Sequence, residues 1–258
     1  MNNKTAAIIP ARFASTRFPG KVLAELWGKP MIQWVYEKAV ASVADEVLIA
    51  TDDQRVIEAV EAFGGRVVMT SPDHPSGTDR ICEAAAGLDC DIIINIQGDE
   101  PLIPVEVIND LIVLMQSNPE IEMGTVGVPG NRNDLANPNK VKVVVDNFDF
   151  ALYFSRSLIP FLREGGIETP VLLHWGIYSY RKATLENFVS LPEGNLEACE
   201  KLEQLRALEN GIKIYLMRST LESIGVDTPE DLKIAEIKLR ETIEAETQRQ
   251  TAERNIIL

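Results

Sequence analysis

Three cations, Arg12, Arg17 and Lys21, crowd into one short stretch in which Pro19-Gly20 stands directly before the lysine. Pro-Gly forces a turn, so the long side chains share a loop. Several cations on one loop call for an anion, and a polyphosphate is an anion that needs this many. Two carboxylates could complete such a site. Asp99 lies in Gln97-Gly98-Asp99-Glu100-Pro101 just after an apolar run, and Asp227 lies in Val226-Asp227-Thr228-Pro229 ahead of a helix start. Mg²⁺ is usually held by one or two carboxylates plus substrate phosphates, so two acidic turns meeting at one point would suit a nucleotide with its metal. Each feature alone has a plainer structural alternative: a solvated basic loop, a GDxP turn, an aspartate favouring a helix dipole.

Holding these residues together requires a sheet. Ala6 to Ile9 is apolar at successive positions, as in a strand covered on both faces, and Pro10 ends it. The run 91–96 before Gln97 has the same character. Strands are further expected at 46–50 and 66–69, and helices at 31–41, 54–63 and 105–116, with Thr51-Asp52-Asp53 capping the second helix. Strand and helix alternating in this way predict an α/β fold with a parallel sheet, whose ligands sit at the carboxyl ends of the strands. Past residue 128 the rhythm changes. A hairpin is expected over 141–155 around Asn147-Phe148-Asp149, and a strand over 174–180, so that about 131–181 reads as an inserted, more antiparallel region. The domain spans 1–239, and 240–258, almost wholly polar, reads as a helical extension. Leu196, Cys199, Leu202, Leu205 and Leu208 fit one helical stripe. The hairpin is apolar at too many positions for an exposed edge, which predicts a symmetric dimer.

A chain of 258 residues, 45% hydrophobic, has ample material for a core. Its 25 Lys and Arg against 39 Asp and Glu leave a net charge of −14. Nucleic acid and anionic membrane are poor partners for that surface. A small phosphate-bearing ligand needs only that the few cations be focused on one site. Cys82, Cys90 and Cys199 are odd in number and lack CxxC spacing, which argues against a disulfide framework or zinc site. No apolar run is long enough for a signal peptide or a bilayer span, and a cytoplasmic enzyme is expected.

The segment PARFASTRFPGK, residues 10–21, resembles the signature of cytidylyltransferases that activate 3-deoxy-manno-octulosonate (Kdo). HPSGTDR at 74–80, GDEP at 98–101, ALYFSR at 151–156, GIYSYR at 176–181, LEQLRALE at 202–209 and VDTPEDL at 226–232 look like successive blocks of that family, in order. The resemblance implies a Rossmann-like, glycosyltransferase-A-like nucleotidyltransferase. It would transfer the CMP group of CTP to Kdo for lipopolysaccharide biosynthesis, with Mg²⁺, as a homodimer. By the same resemblance Pro10, Ala11, Arg12, Arg17, Lys21, His74, Ser76, Gly77, Arg80 and Gln97 would hold the nucleotide, with Arg80 reaching the triphosphate. Gln97, Arg156, His174, Tyr178, Glu203 and Gln204 would bind the sugar acid. Asp99 and Asp227 would hold magnesium, and with Arg12 and Lys21 form the catalytic set. Read without the family, 74–80 is equally an ordinary helix start capped by Ser76 or Thr78, and Glu203-Gln204 a solvated helix face.

Two departures fall in the sugar half: Trp175 stands where a small aliphatic residue is expected after the histidine, and 192–196 lacks a serine often found before the Leu-Glu pair. They bear on the acceptor, for which an 8-amino-8-deoxy sugar is the near alternative. Sialic-acid cytidylyltransferases usually place asparagine after the lysine, where this chain has Val22, and they lack a GDEP block. Uridylyl and guanylyl pyrophosphorylases carry a GxGxRM-type loop that is missing here. A non-catalytic sugar-nucleotide-binding protein of the same fold would be expected to have lost Lys21, Asp99 or Asp227, and all three are present.

Overall fold

The computed structural model describes residues 3–14, 18–166 and 170–256, with the backbone alone at Arg132, Asn133 and 245–256. In chain order the elements are β1 (Thr5–Ala11), β2 (Glu25–Leu26), β3 (Lys29–Pro30), α1 (Met31–Val40), β4 (Glu46–Thr51), α2 (Gln54–Ala62), β5 (Val67–Met69), α3 (Gly77–Ala85), β6 (Ile92–Asn95) and α4 (Val105–Ser117). There follow β7 (Met123–Pro129), α5 (Arg132–Leu135), β8 (Lys142–Val145), β9 (Ala151–Ser155), β10 (Leu172–Arg181), α6 (Lys182–Ser190), α7 (Asn195–Glu200), α8 (Gln204–Glu209), β11 (Ile214–Arg218) and α9 (Pro229–Ile256).

β1 is buried at every position. Its alternating side chains enter two cores. Ala6 and Ile8 join Ile81, Ala84, Leu185, Phe188 and Leu205, from α3, α6 and α8. Ala7, Ile9 and Ala11 join Ile32, Val35, Val56, Val60, Val107 and Leu111, from α1, α2 and α4. Helices on both faces are what the unbroken apolar run requires, and burying each isoleucine is worth about 1.5–3 kcal/mol. The main path of the sheet runs β11-β7-β10-β6-β1-β4-β5, with β8 pairing β10 and β9 to complete nine strands. β1 is parallel to β4 and to β6, β4 to β5, and β7 to β11.

The hairpin expected over 141–155 is β8 and β9, antiparallel to each other. The last strand of the β-rich stretch 131–181, β10, lies between β6 and β7 and is antiparallel to both. That stretch is therefore joined to the main sheet through β10. The expected leucine stripe differs more. It breaks into α7 and α8 at Lys201, whose φ is 53°, and Leu196 is left 40% exposed. The reason is tertiary: Arg156 donates to the carbonyls of Glu200 and Lys201 at 2.8 and 3.3 Å, satisfying the end of α7. The segment 240–258 continues α9 as far as Ile256. Earlier along α9, Ala235 and Leu239 pack with Leu26, Met31 and Val226, which fixes the approach to Asp227. Among the described residues no helix is long and apolar enough to cross a membrane.

Candidate active site

β1, β4 and β6 end together, and the turns after β1 and β6 form a cavity of about 390 Å³ lined by Pro10, Arg12, Ala14, Lys21, Val22, Gly77, Gln97, Gly98, Asp99 and Asp227. Parallel strands leave their ligand crevice at this end. Gly98 is required there, since a Cβ would stand 2.8 Å from the Pro10 carbonyl oxygen. The close approach brings Asp99 onto the basic loop. Lys21 Nζ donates to Asp99 Oδ2 at 2.5 Å, to Asp227 Oδ1 at 3.1 Å and to the Val226 carbonyl at 3.1 Å. The Val226 N–H in turn donates to the Asp99 carbonyl at 2.9 Å. Burial works against the Lys21 ammonium, but Asp99 and Asp227 outweigh it and raise its pKa.

The two acidic turns, far apart in sequence, thus meet around one cation. Thr228 does cap α9, its Oγ1 accepting from the Asp231 N–H at 3.2 Å, and Asp231 answers by accepting from the backbone N–H of both Asp227 and Thr228. Asp227 therefore holds its place beside the helix while its carboxylate is turned to Lys21. A position bounded by two carboxylates and already taken by an ammonium accepts positive charge. Asp99 and Asp227 are hard oxygen donors, in the number that Mg²⁺ takes from a protein when phosphates supply the rest. Among the described residues no group of three or more His, Cys, Asp or Glu side chains forms a fuller metal cage.

The basic loop is only partly assembled as expected. Arg12 lines the cavity and donates to the His74 carbonyl at 3.1 Å, with its pKa lowered by burial and by the nearby Arg80. Arg17 lies outside the described residues. Pro10 and Ala11 form the end of β1, Pro10 on the cavity wall and Ala11 in the core. Of the 74–80 loop, Gly77 lines the cavity where α3 begins. Ser76 is the cap of that helix, accepting from the Thr78 and Asp79 N–H groups at 3.1 and 3.2 Å. The His74 ring is bonded to Glu83. Arg80 is fully buried, donating to Asp52 Oδ2 and Thr70 Oγ1 at 2.5 Å each and more weakly to the Ser71 carbonyl. Its guanidinium anchors β4, β5 and α3 behind the cavity, and its Coulombic reach extends to Arg12.

The expected sugar residues form a second region, connected to the first by hydrogen bonds. Gln97, on the cavity wall, donates to Asn95 Oδ1 at 3.1 Å. The Tyr180 hydroxyl lies beside Asn95 and Thr78, both of which favour its charged form, and Thr78 Oγ1 donates to Glu203 Oε2 at 2.5 Å. Here Glu203 and Gln204, at the start of α8, are turned inward by the break at Lys201. Among the described residues, Glu203 Oε1 and Gln204 Nε2 are buried atoms with no hydrogen-bond partner, although Glu203 Oε1 forms an ion pair with the Arg206 guanidinium at 3.9 Å. Buried orphan polar atoms are costly unless a ligand satisfies them. Tyr178 lies stacked beside Tyr180 and tilted against His174. Burial lowers the His174 pKa to about 3 and raises that of Tyr178 well above its usual value, so both are neutral near pH 7. The His174 Nε2 is 3.1 Å from Thr125 Oγ1. Arg156 stands apart from this group. Its guanidinium donates to the carbonyls of Pro138, Glu200 and Lys201 and supports the break that turns Glu203 inward.

Thr78, Asn95, Tyr180 and Asp52, which support the candidate site residues from behind, were not singled out by the sequence as part of the site. For Tyr180 a signal existed: two positions after Tyr178 in a strand, it shares a face with it. A second, larger cavity of about 810 Å³ adjoins the first, sharing Asp99 and Asp227, with Glu100, Trp175, Ser223 and Asp231 among its walls. Burial pushes the Glu100 carboxyl up to about 7, against a hydrogen bond from Ser223 that favours its charge.

The sequence profile described as cytidylyltransferase matches residues 6–214. A 3-deoxy-manno-octulosonate cytidylyltransferase of Trichlorobacter lovleyi is 49% identical, the match covering 91% of this chain and 98% of that protein. An 8-amino-3,8-dideoxy-manno-octulosonate cytidylyltransferase of Shewanella frigidimarina is 52% identical over 92% of this chain and 98% of its own length. The solved structure of a CMP:2-keto-3-deoxy-manno-octonic acid synthetase complexed with CTP superposes with a TM-score of 0.89 at 43% identity, covering 93% of this chain and 99% of that one. The blocks that frame the cavity and these matches along nearly the whole chain agree: the protein belongs to the cytidylyltransferase family, among the 3-deoxy-manno-octulosonate cytidylyltransferases.

Proposed function

We propose that this chain transfers the CMP group of CTP to the anomeric hydroxyl of Kdo, releasing pyrophosphate. The observation that carries the reading is the meeting of Asp99 and Asp227 on Lys21, in the floor of a cavity walled by Arg12, Gly77 and Gln97. The sugar hydroxyl attacks the α-phosphorus of CTP, a new P–O bond forms, and the bond to the β-phosphate oxygen breaks in line. Arg12, Lys21 and the N-terminus of α3 offset negative charge on the phosphates. Asp99 and Asp227 hold Mg²⁺, which when bound supplies further charge neutralisation at the phosphate oxygens. Gln97 sits between nucleotide and sugar. Glu203, Gln204, Tyr178 and His174 receive the acceptor, Glu203 Oε1 and Gln204 Nε2, which lack hydrogen-bond partners among the described residues, being suited to hydroxyl groups. The product is activated Kdo for lipopolysaccharide biosynthesis, made in the cytoplasm.

Pyrophosphate release with each of the four nucleoside triphosphates tests the nucleotide, and CTP is expected to support turnover alone; equal rates with UTP, GTP or ATP would remove the assignment. The S. frigidimarina relative makes the 8-amino sugar the specific competitor, so the same assay is run with Kdo, its 8-amino analogue and sialic acid, with Kdo expected to give the highest kcat/KM.

The proposal includes a homodimer through the β8–β9 hairpin. Among the described residues β9 pairs along its length with β8 alone, while Phe150 just before it bridges to Tyr215 of β11, and Phe148 and Leu152 are 76% and 63% exposed. An edge strand with exposed apolar side chains invites a second copy. Sedimentation equilibrium is expected to give a dimer at micromolar concentration, and a Leu152→Glu variant should shift it toward monomer; a monomeric wild type contradicts this part of the reading.

A further inference from the structure

Asp227 rides on a stretch with no regular secondary structure: residues 221–227, between β11 and α9, form neither helix nor strand. Asp99 lies on a turn. Two side chains on irregular backbone hold a common ligand only if something locks the turns together. One link is the backbone bond from Val226 to Asp99. The other comes from Glu100. While Asp99 faces Lys21, Glu100 turns to the adjoining cavity, where its Oε2 accepts from Ser223 Oγ at 2.5 Å and where Trp175, on the same cavity wall, further favours its charged form. The fit is close, since a Cβ at Gly225 would stand 3.1 Å from Glu100 Oε1. Trp175 in turn sits at the bulge of β10 against β7, where Thr125 donates to the carbonyls of Trp175 and Ile177 and meets the His174 ring. One carboxylate therefore bonds the turn of Asp99 to the segment of Asp227 and shares a cavity wall with the strand that carries His174.

We propose that Glu100, Ser223 and Trp175 form a clamp that sets the spacing of Asp99 and Asp227, so that Glu100 is a positioning residue for the metal-nucleotide complex while contacting neither the metal nor the phosphates. The inference rests on the reading of Asp99 and Asp227 as metal ligands. Groups that orient metal ligands from behind typically change metal affinity by about 10- to 100-fold when removed. Trp175, the departure from the expected small aliphatic residue, is then part of how this chain builds its metal site.

The test uses the full chain with CTP and no acceptor sugar. Binding of the Mn²⁺ complex of CTP is followed by water-proton relaxation, binding of CTP alone by calorimetry in chelator, and folding by thermal melt. Glu100→Ala is expected to lose about tenfold or more of the advantage of Mn²⁺-CTP over CTP, with CTP binding in chelator unchanged. Ser223→Ala and Trp175→Phe should shift the same ratio by a smaller factor, and Glu100→Gln, which keeps shape and one acceptor, should fall between Glu100→Ala and wild type. A simple loss of fold would lower both affinities together. If Asp99→Asn abolishes the ratio while Glu100→Ala keeps it, the clamp is refuted and the metal reading stands. If Asp99→Asn also keeps it, the metal reading falls and the clamp with it. Should Glu100→Ala fail to fold, wild-type ratios in both Ser223→Ala and Trp175→Phe refute the clamp.

Discussion

At the Lys21 end of the site the polar groups carry formal charge and solvent reaches them: the Asp227 side chain is 46% exposed and that of Asp99 30%. At the Tyr178 end Thr78, Asn95, Tyr180 and Gln204 are buried, His174, Tyr178 and Glu203 are half-buried, and several are neutral; Gln97 bonds Asn95, Thr78 bonds Glu203, and Tyr180 lies beside both. The two ends solve different recognition problems. A triphosphate brings several charges and its own metal, so a few fixed ions on flexible stems suffice and water can remain. A sugar acid offers mainly hydroxyl groups, and selecting it depends on placing donors and acceptors where unpaired ones are costly. The charged end should accordingly control rate, and the neutral end affinity for the acceptor.

The largest effect expected from this contrast is at the charged end. Asp99→Asn or Asp227→Asn removes charge with little change in shape, and turnover should fall by about a hundred- to a thousandfold, roughly 3–4 kcal/mol, while the melt barely moves. If Asp227 served only the dipole of α9, the change would cost about 0.3–1 kcal/mol of stability and leave the rate intact. Turnover against Mg²⁺ concentration, measured with the melt for each variant, separates the two.

A smaller effect should appear at the neutral end. Gln204→Leu deletes an unpaired buried donor, so the protein should be no less stable, yet KM for the acceptor should rise by about tenfold, the loss of a typical hydrogen bond of about 1.5 kcal/mol, with KM for CTP unchanged. Steady-state kinetics with each substrate varied in turn checks this, and a rise in KM for CTP instead would erase the division between the ends.

The smallest is a pH effect on stability. Burial holds the His174 pKa at about 3, below its usual 6.5, so below pH 6.5 the unfolded chain binds a proton that the folded one excludes. Stability should fall with decreasing pH from 6.5 toward 3, with a contribution from this ring of about 1.4 kcal/mol per pH unit. Urea melts at several pH values should show a shallower slope for His174→Gln; an equal slope would mean that the ring is hydrated.

The central sheet is legible in the residues alone, because β1 and β6 read as apolar runs and only strands covered on both faces bury such runs. So is the gathering of cations and carboxylates at the strands' carboxyl ends, since the turns bearing Lys21 and Asp99 follow β1 and β6 directly. The last turn, carrying Asp227, could be named but not located, for nothing local brings residue 227 to residue 99; packing of α9 on Leu26 and Met31 does so. The place of Arg80 follows from long-range packing, which draws this motif cation into a buried pair with Asp52. Such packing also turned Glu203 and Gln204 inward. Their leucine stripe has unbroken helical spacing, and the chain departs from it only because Arg156, distant in sequence, satisfies the carbonyls where the first helix stops. Periodicity records which face of an element is apolar, whereas the partner that ends or bends the element comes from elsewhere in the chain.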